Sequence, residues 1–136
     1  MGCVEMNLLL DTHILLWSLT GSDKLPDEMK KALEDPVSTL WLSPISTWEI
    51  LMLHEKNRIR IDHADPVEWI ERVLGSIPFK EASLNHEVAI QSRQVKLPHQ
   101  DPADRFLVAT ALVYDLTFMT VDQKILDSDR VEICFK

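Results

Sequence analysis

A proline set between two acids, running straight into an apolar stretch, constrains this chain more than any other feature. The stretch is His99-Gln100-Asp101-Pro102-Ala103-Asp104-Arg105-Phe106-Leu107-Val108-Ala109-Thr110-Ala111. Pro102 suits the first turn of a helix, where no N–H is needed and φ is already helical. Asp101 then falls at the N-cap and Asp104 in the first turn, where negative charge meets the positive end of the helix dipole. Three residues apart, the two carboxylates share one turn. Capping alone accounts for one such Asp. A pocket-facing pair makes sense only if other carboxylates converge on the same place.

Met6 to Leu10 is a short apolar run closed by Asp11-Thr12-His13, which reads as a buried strand ending in polar residues. Ile14 to Leu19 then forms a short buried helix, with Asp11 capping it. After the turn at Thr20–Asp23, Pro26 to Glu34 reads as a polar helix with Met29 and Leu33 facing inward, stopped at Asp35-Pro36. Thr39 to Leu42 is a second strand. Ser43-Pro44 starts a helix to about Lys56 that is apolar on most sides and therefore expected to be largely buried. Pro66 to Leu74 is amphipathic, with Val67, Ile70, Val73 and Leu74 on one face. A brief strand is expected at Ile77–Phe79, a helix at Asn85–Val95 and the helix already described at Ala103–Tyr114. A strong strand follows at Leu116–Val121, ending at Asp122, then a helical turn at Ile125-Leu126 and a closing strand at Val131–Phe135. Strands alternating with helices predict an α/β domain, a central and mostly parallel twisted sheet with helices on both faces. No repeat or linker divides the chain, so positions 1–136 are expected to form one domain, with 1–5 a dispensable extension. In such sheets, ligands bind at the carboxyl ends of the strands.

That edge collects acids. Asp11 follows the first strand, Asp122 follows a later one, and Asp104 opens a helix. Glu49 lies one to two turns into the helix after the second strand, between Trp48 and Ile50. Taken singly, Asp11 and Asp122 are explained by capping. Glu49 is harder to explain so, because a carboxylate in apolar surroundings needs a cation, a metal or a raised pKa. Four converging carboxylates repel one another and call for positive charge. The chain offers no zinc-type spacing: Cys3 and Cys134 are its two cysteines and form no metal or redox motif. An all-oxygen cluster suits Mg²⁺ or Mn²⁺, and such an ion favours phosphodiester hydrolysis.

These residues resemble the motifs of PIN-domain proteins, in particular the VapC-type toxin ribonucleases of bacterial toxin–antitoxin systems. Leu8-Leu9-Leu10-Asp11-Thr12-His13 with Leu16-Trp17 is similar to the opening motif, and Ser43-Pro44-Ile45-Ser46-Thr47-Trp48-Glu49-Ile50 to the second. Asp101-Pro102-Ala103-Asp104-Arg105 with Ala109 and Ala111 resembles the third, and Met119-Thr120-Val121-Asp122 the last. The resemblance runs from Met6 to Lys136. It implies a PIN-like three-layer α/β/α fold and a metal-dependent endoribonuclease in which Asp11, Glu49, Asp104 and Asp122 are catalytic and hold one or two Mg²⁺ or Mn²⁺ ions. It implies in-line attack by an activated water on RNA, dimerisation, and inhibition by a small antitoxin whose tail fills the site. Asp101 would assist from outside the metal shell, and Thr120 and Ser43 would orient carboxylates or water. Arg105 is read as a phosphate contact or as the salt-bridge partner of a neighbouring acid. His99 is weighed as a phosphate contact against a plain loop residue, and His13 as a ligand against a helix-start residue beside the site.

Charge pulls the other way. With 14 Lys and Arg against 22 Asp and Glu the net charge is −8, unlike a general nucleic-acid binder. Bound metal would invert the local charge. Arg58, Arg60, Arg72 and Arg93 offer only a diffuse basic rim, with solvated helix faces as the default. Trp17, Trp41, Trp48 and Trp69 read as core or interface anchors, base stacking being the lesser reading. The rival function is a catalytically silent PIN-like binding module. A phosphoacceptor role for Asp11 fits less well, since His13 stands where a second acid is wanted and Lys124 is poorly placed. No run of about 18 apolar residues and no charged-then-apolar leader appears, so a cytoplasmic protein without a membrane span is expected. Met1-Gly2-Cys3 does not complete a myristoylation start, because Met6 replaces the expected Ser or Thr.

Overall fold

A computed structural model describes residues 5–97 and 101–136. Cys3, His99 and positions 1–4 of the expected extension lie outside the described residues. Among the described residues four parallel strands form one sheet in the order β3-β2-β1-β4: β1 (Met6–Leu10), β2 (Ser38–Leu42), β3 (Lys80–Glu81) and β4 (Thr117–Met119). The helices are α1 (Thr12–Thr20), α2 (Asp27–Glu34), α3 (Pro44–Glu55), α4 (Pro66–Ser76), α5 (His86–Gln94), α6 (Pro102–Tyr114) and α7 (Gln123–Leu126).

Two-residue periodicity in the strands makes the three layers. Leu8 and Leu10 of β1 face one core with Ile14, Leu15, Met29, Ile50, Ile70 and Val73, so α1 to α4 cover that side. Leu9 and Phe118 face the other core with Val88, Leu107, Val108 and Ile125, from α5, α6 and α7. Successive side chains of a strand point to opposite faces, so β1 must be apolar throughout. Each fully buried Leu contributes roughly 1.5–3 kcal/mol. Among the described residues no helix is long and apolar enough to cross a membrane.

The chain starts at β1, moves outward through β2 to β3, and returns to β4 on the other side of β1. Connections on either side of β1 therefore run over opposite faces. The crevice this leaves lies beyond the carboxyl ends of β1 and β4, the usual ligand position in such sheets.

Three local expectations are corrected. The strand foreseen at Ile77–Phe79 is displaced to Lys80–Glu81, where Trp41 pairs with Lys80 and Leu42 with Glu81. Pro78 has no N–H for the ladder, and the Phe79 N–H turns back to the Ile77 carbonyl at 2.8 Å. The closing strand foreseen at Val131–Phe135 is a 3₁₀ turn over Val131–Ile133, with a single bridge from Cys134 to Phe118. There Ser128 Oγ donates to the Ile125 carbonyl and accepts from the Arg130 N–H, so local bonds keep the chain turning until Cys134. Finally, α3 is not largely buried. Among its residues Ser46 and Ile50 are buried, while Trp48 is 53% exposed.

Candidate active site

Each acid is delivered by the end of an element. Asp11 caps α1 directly after β1, its Oδ1 accepting from the Thr12 N–H at 2.8 Å. Asp122 caps α7 just beyond β4, with Oδ1 accepting from the Lys124 N–H at 2.9 Å. Asp101 caps α6, accepting from the Ala103 N–H at 3.0 Å, and Asp104 stands in the first turn of that helix. Glu49 comes from the middle of α3. Asp11, Glu49, Asp101, Asp104 and Asp122 line one cleft of about 350 Å³, together with His13, Trp17 and Val121. The structure thus brings together the four acids singled out as catalytic and the accessory Asp101.

Two buried threonines hold these carboxylates in place. The Thr120 hydroxyl donates to Asp11 Oδ2 at 2.6 Å and accepts from the Asp122 N–H at 3.0 Å. The Thr12 hydroxyl lies 2.5 Å from Glu49 Oε1 and donates to it, with Ser46 Oγ behind it at 3.3 Å. Thr12 and Ser46 are wholly buried. Neither was singled out in the sequence as a site residue. The available signal was position: a small hydroxyl residue directly after a strand-ending acid, and another three residues before Glu49 on the same helix.

Electrostatics follow from this crowding. Burial pushes the Asp104 carboxyl up to about 8, and repulsion from Asp101, Asp11, Asp122 and Glu49 adds to it. Burial also raises Asp11, against the hydrogen bonds from Thr120 and Thr12. Glu49 is raised by burial as well, opposed by the Thr12 hydroxyl and reinforced by Asp11 and Asp101.

Other expected residues lie elsewhere. Arg105 is corrected on both readings. Its guanidinium is buried and points away from the cleft, Nε donating to the Ser92 carbonyl at 3.0 Å and Nη2 to the Val95 carbonyl at 2.9 Å. The last turn of α5 leaves carbonyls without helical partners, and a buried arginine fork satisfies them. Ser43 is also corrected. It caps α3, with Oγ accepting from the Ile45 N–H at 3.0 Å, and faces a separate hollow with Thr47, Leu74 and Glu81. Arg58 and Arg93 are exposed, Arg60 lies 3.8 Å from Asp62, and Arg72 pairs with Glu68 at 2.6 Å. None of the four lines the acidic cleft.

The PIN-domain sequence pattern matches residues 8–131. The chain belongs to the PIN-domain family. It is 29% identical over 122 residues to Ribonuclease VapC22 of Mycobacterium tuberculosis, an alignment covering 87% of this chain and 88% of that protein. Among solved structures, VapBC-1 of nontypeable Haemophilus influenzae superposes with a TM-score of 0.61 at 16% identity, covering 95% of each chain. FitAcB of Neisseria gonorrhoeae gives 0.59 at 22% identity, covering 86% of this chain and 88% of that one. Both likenesses are of fold, and they fit the three-layer sheet described above.

PIN-domain membership raises the question of a divalent metal. Among the described residues no three His, Cys, Asp or Glu side chains already enclose an ion-sized space. The donor set is nonetheless all oxygen and mutually repelling. Mg²⁺ binds through one or two carboxylates and keeps several waters, which fits acids that ring a cleft without closing on one point. A cation entering the cleft would meet the carboxylates of Asp11, Glu49, Asp104 and Asp122.

Proposed function

We propose that this chain is a metal-dependent endoribonuclease, the toxin of a toxin–antitoxin pair, using Mg²⁺ or Mn²⁺ at Asp11, Glu49, Asp104 and Asp122. One observation carries the reading: five carboxylates from four separate parts of the chain face a single cleft, where burial, reinforced by their mutual repulsion, holds Asp104 protonated up to about pH 8. Such a cluster is costly unless a cation is meant to enter it. Family membership and the likeness to a ribonuclease supply the substrate class. The solved relatives include a toxin–antitoxin complex from Klebsiella pneumoniae, which supports a small protein antitoxin as partner. A homodimer belongs to the same proposal.

A hard divalent ion held in the cleft would supply positive charge to acidify a water and to offset the charge growing on a phosphate. The chain's residues prepare for it. Thr12 and Thr120 fix both oxygens of Asp11, and Thr12 fixes Glu49, so these carboxylates need little reordering. Asp104, protonated without metal, would have to be ionised to ligate a cation. Val121 and Trp17 narrow the cleft with apolar surface, strengthening the charges inside it.

The test is cleavage of mixed RNA by purified protein in Mg²⁺ or Mn²⁺ against EDTA, with Asp104→Asn alongside. Metal-dependent cleavage lost in the variant is expected. Folded protein that binds Mn²⁺ and RNA yet cuts nothing favours the silent binding module instead.

A further inference from the structure

Four tryptophans differ in what they face. Trp41 is committed: its Nε1–H donates to Asn7 Oδ1 at 3.1 Å, its ring packs on Tyr114 at 5.9 Å, and Lys80 Nζ lies 5.4 Å from its centroid. Trp69 packs against the core beneath the α1-to-α4 layer. Trp48 is exposed but lies outside the acidic cleft. Trp17 is the one tryptophan lining that cleft. It is half-buried, packs against the core and also borders a neighbouring apolar hollow with Leu25 and Phe79. His13 stands one helical turn before it on α1, lines the same cleft, and is exposed. Their ring centroids are 6.0 Å apart at 55°, so the two rings pack on each other as a tilted pair and together give the cleft an aromatic wall.

We infer that His13 and Trp17 form a stacking surface for a nucleobase next to the phosphate to be cut. This rests on the nuclease reading above. Its physical reason is charge. Among the described residues no Lys or Arg lines the cleft, so beyond the phosphate met by the proposed cation it has little with which to hold a phosphate backbone. Stacking carries no net charge and works in an acidic cleft, and every base offers a π-face. Trp17 is anchored in the core, so its ring is already ordered before RNA arrives and little side-chain freedom is lost. Base-paired RNA keeps its bases stacked inside the duplex and cannot lay a free base face on this wall.

The experiment uses the Asp104→Asn protein, which binds without cutting, and Ca²⁺ in place of Mg²⁺. Two fluorescent probes are titrated: single-stranded RNA decamers, and a ribose-phosphate decamer of the same length without bases. Preference for the base-bearing chain by roughly tenfold or more is expected, the low to middle range for one stacked base. His13→Ala and Trp17→Ala should each reduce that preference several-fold, while Trp48→Ala should leave it intact. Because Trp17 touches the core, circular dichroism checks the Trp17→Ala fold, and the exposed His13 gives an independent answer. Equal binding of both probes, or a preference untouched by the His13 and Trp17 changes, overturns the stacking site. Metal-dependent RNA cleavage by the wild type is measured separately. Cleavage without base preference sinks the stacking site alone, whereas base preference at His13 and Trp17 without cleavage sinks the nuclease reading alone.

Discussion

The Thr12 hydroxyl donates to Glu49 Oε1 across 2.5 Å, while the Thr12 N–H donates to Asp11 Oδ1. One buried residue thereby holds two acids from different elements, and neither carboxylate can shift without disturbing it. Thr12→Val keeps the shape and removes the hydroxyl. We expect it to weaken Mn²⁺ binding about tenfold or more, the scale for lost outer-shell partners. Thr12→Ser should keep most of the affinity. Calorimetric titration of the two variants checks this, and equal loss in both would point to packing instead of the hydroxyl.

Stability without metal should fall as pH rises. Folded Asp104 keeps its proton up to about pH 8, whereas the unfolded chain releases it near 3.8. Between those values unfolding releases a proton, so raising pH favours the unfolded state. The stabilisation is complete below about pH 3.8 and lost as pH passes through about 8. Asp11 and Glu49, also raised, act in the same direction. Urea midpoints in EDTA should drop from pH 5 to pH 8, and Asp104→Asn should flatten the slope while unfolding cooperatively.

Metal entry should expel that proton. At pH 7, Mn²⁺ binding is expected to release about one proton from Asp104, since a ligating carboxylate must be ionised. Titrations in buffers of different ionisation enthalpy measure the number. Affinity should rise with pH up to about 8, and Asp104→Asn should remove most of the release along with RNA cleavage.

Arg105 makes a different prediction from the acids beside it. Its guanidinium answers two carbonyls at the end of α5 and just beyond. Arg105→Met leaves both without partners in a buried place, costing about 2–4 kcal/mol. Arg105→Lys should recover only part, because one ammonium lacks the fork that reaches both. Guanidinium denaturation of the three proteins gives the ranking. A Met variant as stable as the wild type would remove Arg105 from the structural account.

Residues with one job were the easiest to anticipate. Met6–Leu10 is apolar on both faces because helices cover both sides, and Pro102 after Asp101 marks a helix start by backbone chemistry alone. Asp11, Asp104 and Asp122 sit next to such landmarks, so strand and helix ends predicted where they would meet. Thr12 and Ser46 escaped because a hydroxyl near a helix start usually caps or faces solvent. Their role appears only when α1 packs against α3. Arg105 misled for a similar reason. Beside two acids it suggested charge pairing, but its partners are backbone carbonyls of α5, which no side-chain pattern advertises. Trp48, read as a core or interface anchor, is exposed, because helix α3 buries a narrower stripe than its sequence implies.

Asp11, Asp101 and Asp122 each begin a helix by accepting a backbone N–H, and the same side chains line the cleft. Asparagine can do the first duty but lacks the charge for the second. A change of one nucleotide in an aspartate codon therefore yields a chain that folds alike and has lost part of its electrostatics. The scaffold places almost no barrier between an armed copy and a disarmed one, so in a lineage of such proteins inert descendants should arise readily and persist as well-folded molecules.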